Sequence, residues 1–222
     1  MKGKSVLLTA VVCLMGASAS YGQLGFSPIK RPNIANIFRP EVGQGAVYEQ
    51  TDSEGKKSRM EMSVVGKEMV GTEEGFWMEV GHNEGKDGNL KYGKVLVTKD
   101  FTFHKMVFVM PGSPQPMEMD MNNRKAHHGD MEKEVEKWHS VGTETITVPA
   151  GTFSCEHWQK DGGKGDVWAS PKVSPMGMVK SVDNGRTMVL EKIITNAQTH
   201  ITGAPVKFDP QMMRQQLGKP KP

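Results

Sequence analysis

Cysteine is scarce in this chain, whose 222 residues include only Cys13 and Cys155. Cys13 lies in an N-terminal apolar run that we expect to be removed, so Cys155 has no intramolecular partner and no disulfide holds the fold. A lone thiol of this kind can be a reactive nucleophile. The interpretation favoured here is a small, buried, hydrophobic side chain.

Signatures of catalysis are also missing. The sequence has no Gly-x-Ser-x-Gly elbow, no His-Glu-x-x-His helix, no phosphate-binding loop and no dinucleotide fingerprint. Cys155 and His157 are two residues apart, so on a strand they share a face and could form a dyad. Phe153 shares that face, which favours core packing. We therefore predict a protein without enzymatic activity and without a cofactor.

Long apolar runs are absent after the N-terminus, so no later segment predicts a transmembrane helix. At the N-terminus, Lys2 and Lys4 precede an apolar run over 6–15, and small residues follow over 16–19. This layout is typical of a secretory signal peptide, and the run is too short to span a bilayer. The sequence therefore predicts a periplasmic or secreted protein.

Two details of this export signal stay open. Ala17 and Ala19 favour cleavage after Ala19, and cleavage after Gly22 is the second choice. A lipoprotein would instead retain an acylated Cys13, but Val12 stands where a small residue is usual.

The charge is nearly balanced. The net charge of +3 falls to +1 when Lys2 and Lys4 leave with the signal. A nearly neutral chain argues against nucleic acid or an anionic membrane as the main partner. The partners that we expect are an apolar small molecule, a lipid or an envelope protein.

Turn-forming residues are abundant, with 25 glycines and 13 prolines. Gly-bearing pairs recur between β-branched and aromatic runs, a pattern typical of antiparallel strands joined by hairpins. The predicted organisation is a signal peptide over 1–22, an extended lead-in over 23–44, a β domain over 45–196 and a C-terminal extension over 197–222.

Strand alternation predicts three hairpins within this domain: 46–51 with 57–65, 153–159 with 165–170, and 176–182 with 187–194. Asn184-Gly185 suits the type I′ turn of the third hairpin. Phe153 and Cys155 should face the core while Ser154 and Glu156 face solvent.

The remaining segments are predicted less directly. Further strands are expected over 75–81, 90–98, 101–110 and 143–148, and residues 111–130 are expected to form a long polar connection. Short helices are predicted from Asp130 to Trp138 and from Asp209 to Leu217. The predicted fold class is mainly β: a curved antiparallel sheet, or half-barrel, with one or two short helices or a lid loop.

The block Gly142–Cys155, the motif Val167-Trp168-Ala169-Ser170-Pro171 and the run Asn184–Leu190 resemble a group of exported bacterial proteins of unknown function. The first hairpins, within Tyr48–Glu79, are similar to those of the same group. That group resembles the LolA-like half-barrel of periplasmic lipoprotein carriers. The resemblance covers roughly 45–195 and implies a curved sheet around an apolar concave face, which in carriers holds acyl chains.

This fold suggests an exported binding or structural protein that holds an apolar ligand or lipid. Several tryptophans interrupt the alternation of their strands, which indicates that both faces of the sheet are partly apolar. Ordinary core packing of these aromatics explains the same pattern. The candidate ligand-facing residues are Trp77, Phe103, Met106, Phe108, Trp158 and Trp168.

A Met- and His-rich segment over 104–131 supports an alternative function as an envelope copper-binding protein. Thioethers and imidazoles are ligands suited to Cu(I). Alternation of Met with acidic residues is equally typical of a strand with one apolar face, and the adjacent histidines are typical of a solvated loop. The candidate ligands are Met117, Met119, Met121, His127 and His128.

Overall fold

The computed structural model describes residues 38–83, 90–99, 102–109, 115–121, 138–160 and 162–209. The predicted signal peptide, most of the lead-in, His127, His128 and residues 130–137 lie outside these ranges. The described residues form twelve strands, with bounds β1 Gln44–Thr51, β2 Lys57–Val70, β3 Glu73–Asn83, β4 Lys91–Thr98, β5 Phe103–Phe108, β6 Met117–Asp120, β7 Trp138–Val148, β8 Gly151–Lys160, β9 Gly165–Ala169, β10 Met178–Asp183, β11 Arg186–Thr195 and β12 Val206–Lys207.

All twelve strands belong to one open, curved sheet in the order β12-β6-β5-β4-β3-β2-β1-β11-β10-β9-β8-β7. Strands β1–β6 form one antiparallel meander and β7–β11 form a second. Antiparallel pairing of β1 with β11 joins the two. The predicted fold class, a mainly β protein built on a curved antiparallel sheet, is confirmed.

Two predicted elements differ in the structure. Trp138 begins β7 instead of ending a helix, and the long connection over 111–130 contains β6, which pairs with β5. The described residues include no helix, and Asp209 lies in irregular backbone at their C-terminal end. Residues 210–217 of the predicted terminal helix lie outside them. No helix in the described part of the chain is long and apolar enough to cross a membrane.

The predicted hairpins are present. Asn184 and Gly185 have φ angles of +49° and +77°, the left-handed values that a type I′ turn requires. In the first hairpin, an Asp52 carboxylate oxygen accepts the backbone N–H groups of Glu54 and Lys56, both at 2.9 Å. Short polar side chains that bond to the following backbone in this way stabilise the tight turns between strands.

Two apolar clusters form the core. The first joins β1, β2, β10 and β11 with the β7–β8 hairpin, and at its centre the buried Tyr48 hydroxyl donates to the Met178 carbonyl at 3.0 Å. Phe153 and Cys155 are buried in it and Ser154 is exposed, as the alternation predicted. The second cluster covers β3–β6. Met176 packs against both clusters and so connects the two halves of the sheet.

The chain after β11 turns back across the first meander. Ala197 N–H donates to the Gly43 carbonyl at 2.8 Å, and Ile201 is buried farther along. β12 then pairs in parallel with β6, beyond the predicted end of the β domain at residue 196. This C-terminal segment therefore closes one edge of the sheet.

Candidate functional site

The six candidate ligand-facing residues do not form one site. Phe103, Met106 and Phe108 belong to the second apolar cluster, where Met106 and Phe108 are buried. The three tryptophans lie elsewhere on the sheet. The structure therefore groups half of the candidates and separates the rest.

Trp77 lies on β3 beside an ion pair. Its indole N–H donates to one carboxylate oxygen of Glu68 at 3.1 Å, and Lys105 Nζ donates to the other. The Lys105 hydrogen bond holds the pKa of Glu68 below its ordinary value, against a smaller opposing effect of burial. Lys94 Nζ lies 5.4 Å from the Trp77 ring centroid. Trp77 is thus surrounded by charged side chains.

Trp168 is also enclosed by polar groups. The His157 ring stacks on it with centroids 4.4 Å apart, and Lys180 Nζ lies 4.9 Å from the Trp168 centroid. The Trp168 indole N–H donates to Glu144 at 2.7 Å. His157 contacts Asp166 through Nε2 at 2.9 Å and Glu144 through Nδ1 at 3.2 Å. The His157 ring is therefore held between the carboxylates of Asp166 and Glu144.

The surroundings of Cys155 and His157 argue against a catalytic dyad of these two residues. Cys155 shares a strand face with His157, as its spacing predicted, but burial raises the pKa of the Cys155 thiol to about 11. A thiol in this environment stays protonated at neutral pH and is a poor nucleophile. Both ring nitrogens of His157 already face carboxylates.

Trp158, on the opposite face of β8 from His157, is partly buried. Its indole nitrogen is inaccessible and has no hydrogen-bond partner among the described residues. Such a group is costly inside a protein, because it loses its hydrogen bond to water without replacement.

A Met-rich cluster brings together three of the candidates for the apolar ligand and three of the candidates for copper. We use this name for the second apolar cluster, in which Met106 and Met119 are opposite each other on β5 and β6, and Met117 is opposite Phe108. Its other members include Met78 of β3, Phe103 of β5, Met121 after β6, and Phe38 and Phe208 near the two ends of the described chain. Candidates for the apolar ligand and for copper therefore occupy the same place.

Two surface grooves of the described residues are lined by other parts of the chain than the Met-rich cluster. One groove, of about 340 Å³, is lined by Arg59, Glu61, Lys192 and His200, among others. The other, of about 490 Å³, lies at the ends of the hairpins around Gly163 and Asn184. Both are polar and shallow. Met106, Met117 and Phe108 are buried in the Met-rich cluster, so a ligand that reached them would displace neighbouring side chains.

A buried carboxylate is the polar feature that the sequence did not indicate. Glu79 on β3 is 2% exposed and accepts hydrogen bonds from Thr199 Oγ1 at 2.6 Å, His200 N–H at 2.8 Å and His200 Nδ1 at 2.8 Å. The His200 ring stacks on Tyr92 with centroids 3.9 Å apart. We call these four residues the C-terminal clamp, since they fix the chain after β11 to the sheet.

The clamp also requires a glycine. A Cβ atom at Gly81 would lie 2.5 Å from the Tyr92 ring, closer than carbon atoms approach without displacement. The sequence signal for the clamp is weak, because it consists of one acidic residue within the apolar run Phe76–Val80.

Metal ligation has limited support. The described residues contain no group of three or more His, Cys, Asp or Glu side chains arranged to hold a metal ion. His127 and His128 lie outside the described ranges. Met117, Met119 and Met121 lie together, but among apolar side chains.

Comparison with known proteins gives two solved structures of similar outline. The first is that of a protein inferred to be a lipoprotein, from Parabacteroides distasonis. It has 19% identity and a TM-score of 0.39, with 71% of this chain and 97% of that chain covered. The second is that of a protein inferred to be exported, with a YmcC-like fold, from Bacteroides fragilis. It has 13% identity and a TM-score of 0.42, with 71% of this chain and 98% of that chain covered.

These identities and TM-scores are too low to transfer a function. No family model matches the chain, and no curated protein matches it.

Proposed function

We propose that this protein is an exported, non-enzymatic binding protein that takes up an apolar ligand, such as a lipid acyl chain, at the Met-rich cluster. The observation that carries the proposal is the composition of this cluster, where five methionines from β3, β5, β6 and the residue after β6 pack with aromatic rings. Methionine side chains are flexible and adapt to ligands of loosely defined shape.

The position of the cluster supports the same proposal. Among the described residues, the strand that closes the end of the sheet where the cluster lies is the two-residue β12, and Met119, Phe103 and Phe208 at the margin of the cluster are partly buried. Short edge strands and partly buried side chains open more easily than a fully packed core. A ligand would enter by displacing these side chains and would then bury its own apolar surface.

The direct test is native mass spectrometry of the protein purified from its own envelope, followed by solvent extraction and lipid analysis. We expect an apolar molecule to copurify. In parallel, a fluorescent fatty acid should bind to the delipidated protein. Protein that carries no ligand and does not bind the fatty acid would contradict the proposal.

A matched pair of variants locates the site. Met119→Asp places a charge at the margin of the cluster and should abolish fatty-acid binding, because an apolar ligand would have to cover that charge. Met69→Asp introduces the same change on β2, where Met69 is 61% exposed and outside the cluster, and should leave binding intact. Equal binding by the two variants would place the ligand elsewhere.

The convergence of methionines favours copper as a second candidate function. Replacing Met117, Met119 and Met121 together with leucine preserves apolar volume but removes three thioethers. Loss of Cu(I) affinity in competition with a chromophoric chelator, with fatty-acid binding retained, would support copper. Fatty-acid binding without Cu(I) affinity in the unsubstituted protein would exclude it.

A further inference from the structure

The strand β7 forms one edge of the sheet, and nothing in the described part of the chain pairs with its outer side. It is eleven residues long, has a β-bulge between Ser140 and Gly142, contains neither lysine nor proline, and exposes Thr143, Thr145 and Thr147 beyond that bulge. Natural proteins usually protect edge strands by shortening them or by adding lysine, proline or inward charges. The regular stretch over 143–148, where Glu144 is the one charged residue, is therefore suited to pair with another strand.

The register of β7 shows which backbone groups face outward. Val148 is opposite Gly151 across the two-residue turn Pro149-Ala150, so this pair exchanges both backbone hydrogen bonds. The pairs then alternate along the ladder, which leaves the N–H and C=O groups of the three threonines directed away from β8. The Thr147 and Thr152 hydroxyl oxygens lie 3.0 Å apart, consistent with the close approach of a non-hydrogen-bonded pair.

We propose that β7 pairs in antiparallel orientation with β7 of a second copy of this chain, centred on Thr145. In this register Thr145 is opposite its own counterpart and Thr143 is opposite Thr147 of the other copy. All the outward N–H and C=O groups of the three threonines are then satisfied. Threonine pairs of this kind stabilise adjacent strands.

Charge and packing also fit a second copy. Glu144 is the one acidic residue of β7, and the proposed register places it opposite Ile146 of the other copy, so the two glutamates are not opposed. Glu144 can keep its contacts with His157 and Trp168, because these lie on the other side of β7 from the new partner. This inference does not rest on the proposed ligand.

The test uses sedimentation velocity of the exported full chain over a range of concentrations. The unsubstituted protein should form a dimer. Thr145→Lys and Thr145→Glu should each be monomeric, because the symmetric register brings two like charges together. An equimolar mixture of the two variants should restore a dimer, since opposite charges then meet. Ser154→Lys is the control: it adds a charge on the same face but one strand inward, and should remain dimeric.

Thermal melts of each variant establish that it is folded. Three results would overturn the proposal: an unsubstituted protein that stays monomeric, Thr145 variants that remain dimeric alone, or a mixture that stays monomeric. The first result would indicate that the β7 edge pairs with a strand of a different protein instead of a second copy. The second would place the dimer contact on another surface, and the third would exclude the proposed register.

Discussion

Removal of the Glu79 carboxylate is the most direct perturbation of the C-terminal clamp. In Glu79→Ala, Thr199 Oγ1, His200 N–H and His200 Nδ1 lose the acceptor that they share on β3. Thr199 Oγ1 keeps the Ile201 carbonyl as an acceptor at 3.3 Å, but that contact lies within the C-terminal segment and does not hold it to β3. The segment after β11 should then detach, and the buried side chain of Ile201 should become more exposed.

The expected loss of stability in Glu79→Ala follows from the hydrogen bonds that the Glu79 carboxylate accepts. A hydrogen bond to a charged group contributes about 1.5–3 kcal/mol to stability. The bond through the His200 ring counts for less, because that side chain is 47% exposed and can turn to water. Removing one member of a buried charged network costs about 3–5 kcal/mol. We expect Glu79→Ala to lower the free energy of unfolding by about this amount, with a fall in Tm of roughly 10 °C.

Urea unfolding followed by fluorescence measures the loss of stability, and hydrogen exchange of the His200 amide reports the detachment directly. Glu73→Ala is the matched control, since Glu73 is an exposed residue of the same strand and should change stability by less than about 0.5 kcal/mol. A cost below about 1 kcal/mol for Glu79→Ala, or an unchanged exchange rate at His200, would refute the clamp.

Four further predictions concern the first apolar cluster. Phe153→Ala should cost about 3–5 kcal/mol and Glu156→Ala little, and thermal melts that rank these variants in the opposite order would contradict the strand register. The Cys155 thiol should resist labelling at pH 8 and react only on unfolding; rapid labelling of the native protein would contradict its burial. Folding raises the pKa of the Cys155 thiol from an ordinary 9.0 to about 11, so the native state binds more protons than the unfolded state between these values. The free energy of unfolding should therefore fall as pH rises from 9 to 11. Cys155→Ala should remove this effect in urea titrations. Tyr48→Phe should cost about 0.5–1.5 kcal/mol by removing the buried hydrogen bond to the Met178 carbonyl, and an unchanged urea midpoint would show that this hydrogen bond contributes nothing.

The local features of the fold followed from the sequence alone. Alternation placed Phe153 and Cys155 in the core, because successive side chains of a strand point to opposite faces. The Asn184-Gly185 turn was predicted correctly because few residue pairs adopt two consecutive left-handed conformations. Both inferences need only a few neighbouring residues.

The incorrect prediction at Trp138 has a local cause. Its spacing from Met131 and Val135 fits one face of a helix, but in the structure Trp138 is opposite Lys160 in the β7–β8 ladder. Helical periodicity over so few residues is weak evidence, and pairing with an adjacent strand overrides it. The strand β6 was indicated only by the alternation of Met with acidic residues over 117–121, because four residues carry too little pattern to show which strand they join.

Contacts between distant parts of the chain were decided only by the tertiary structure. Gln44 of β1 is opposite Thr195 of β11, and Glu79 bonds to Thr199, 120 residues later. The sequence indicated strands, turns and the pairing within hairpins but not which distant strands pair, because period-two alternation is the same for every possible partner. It showed an acidic residue in an apolar run, but only the returning C-terminal segment supplies the donors that allow Glu79 to be buried.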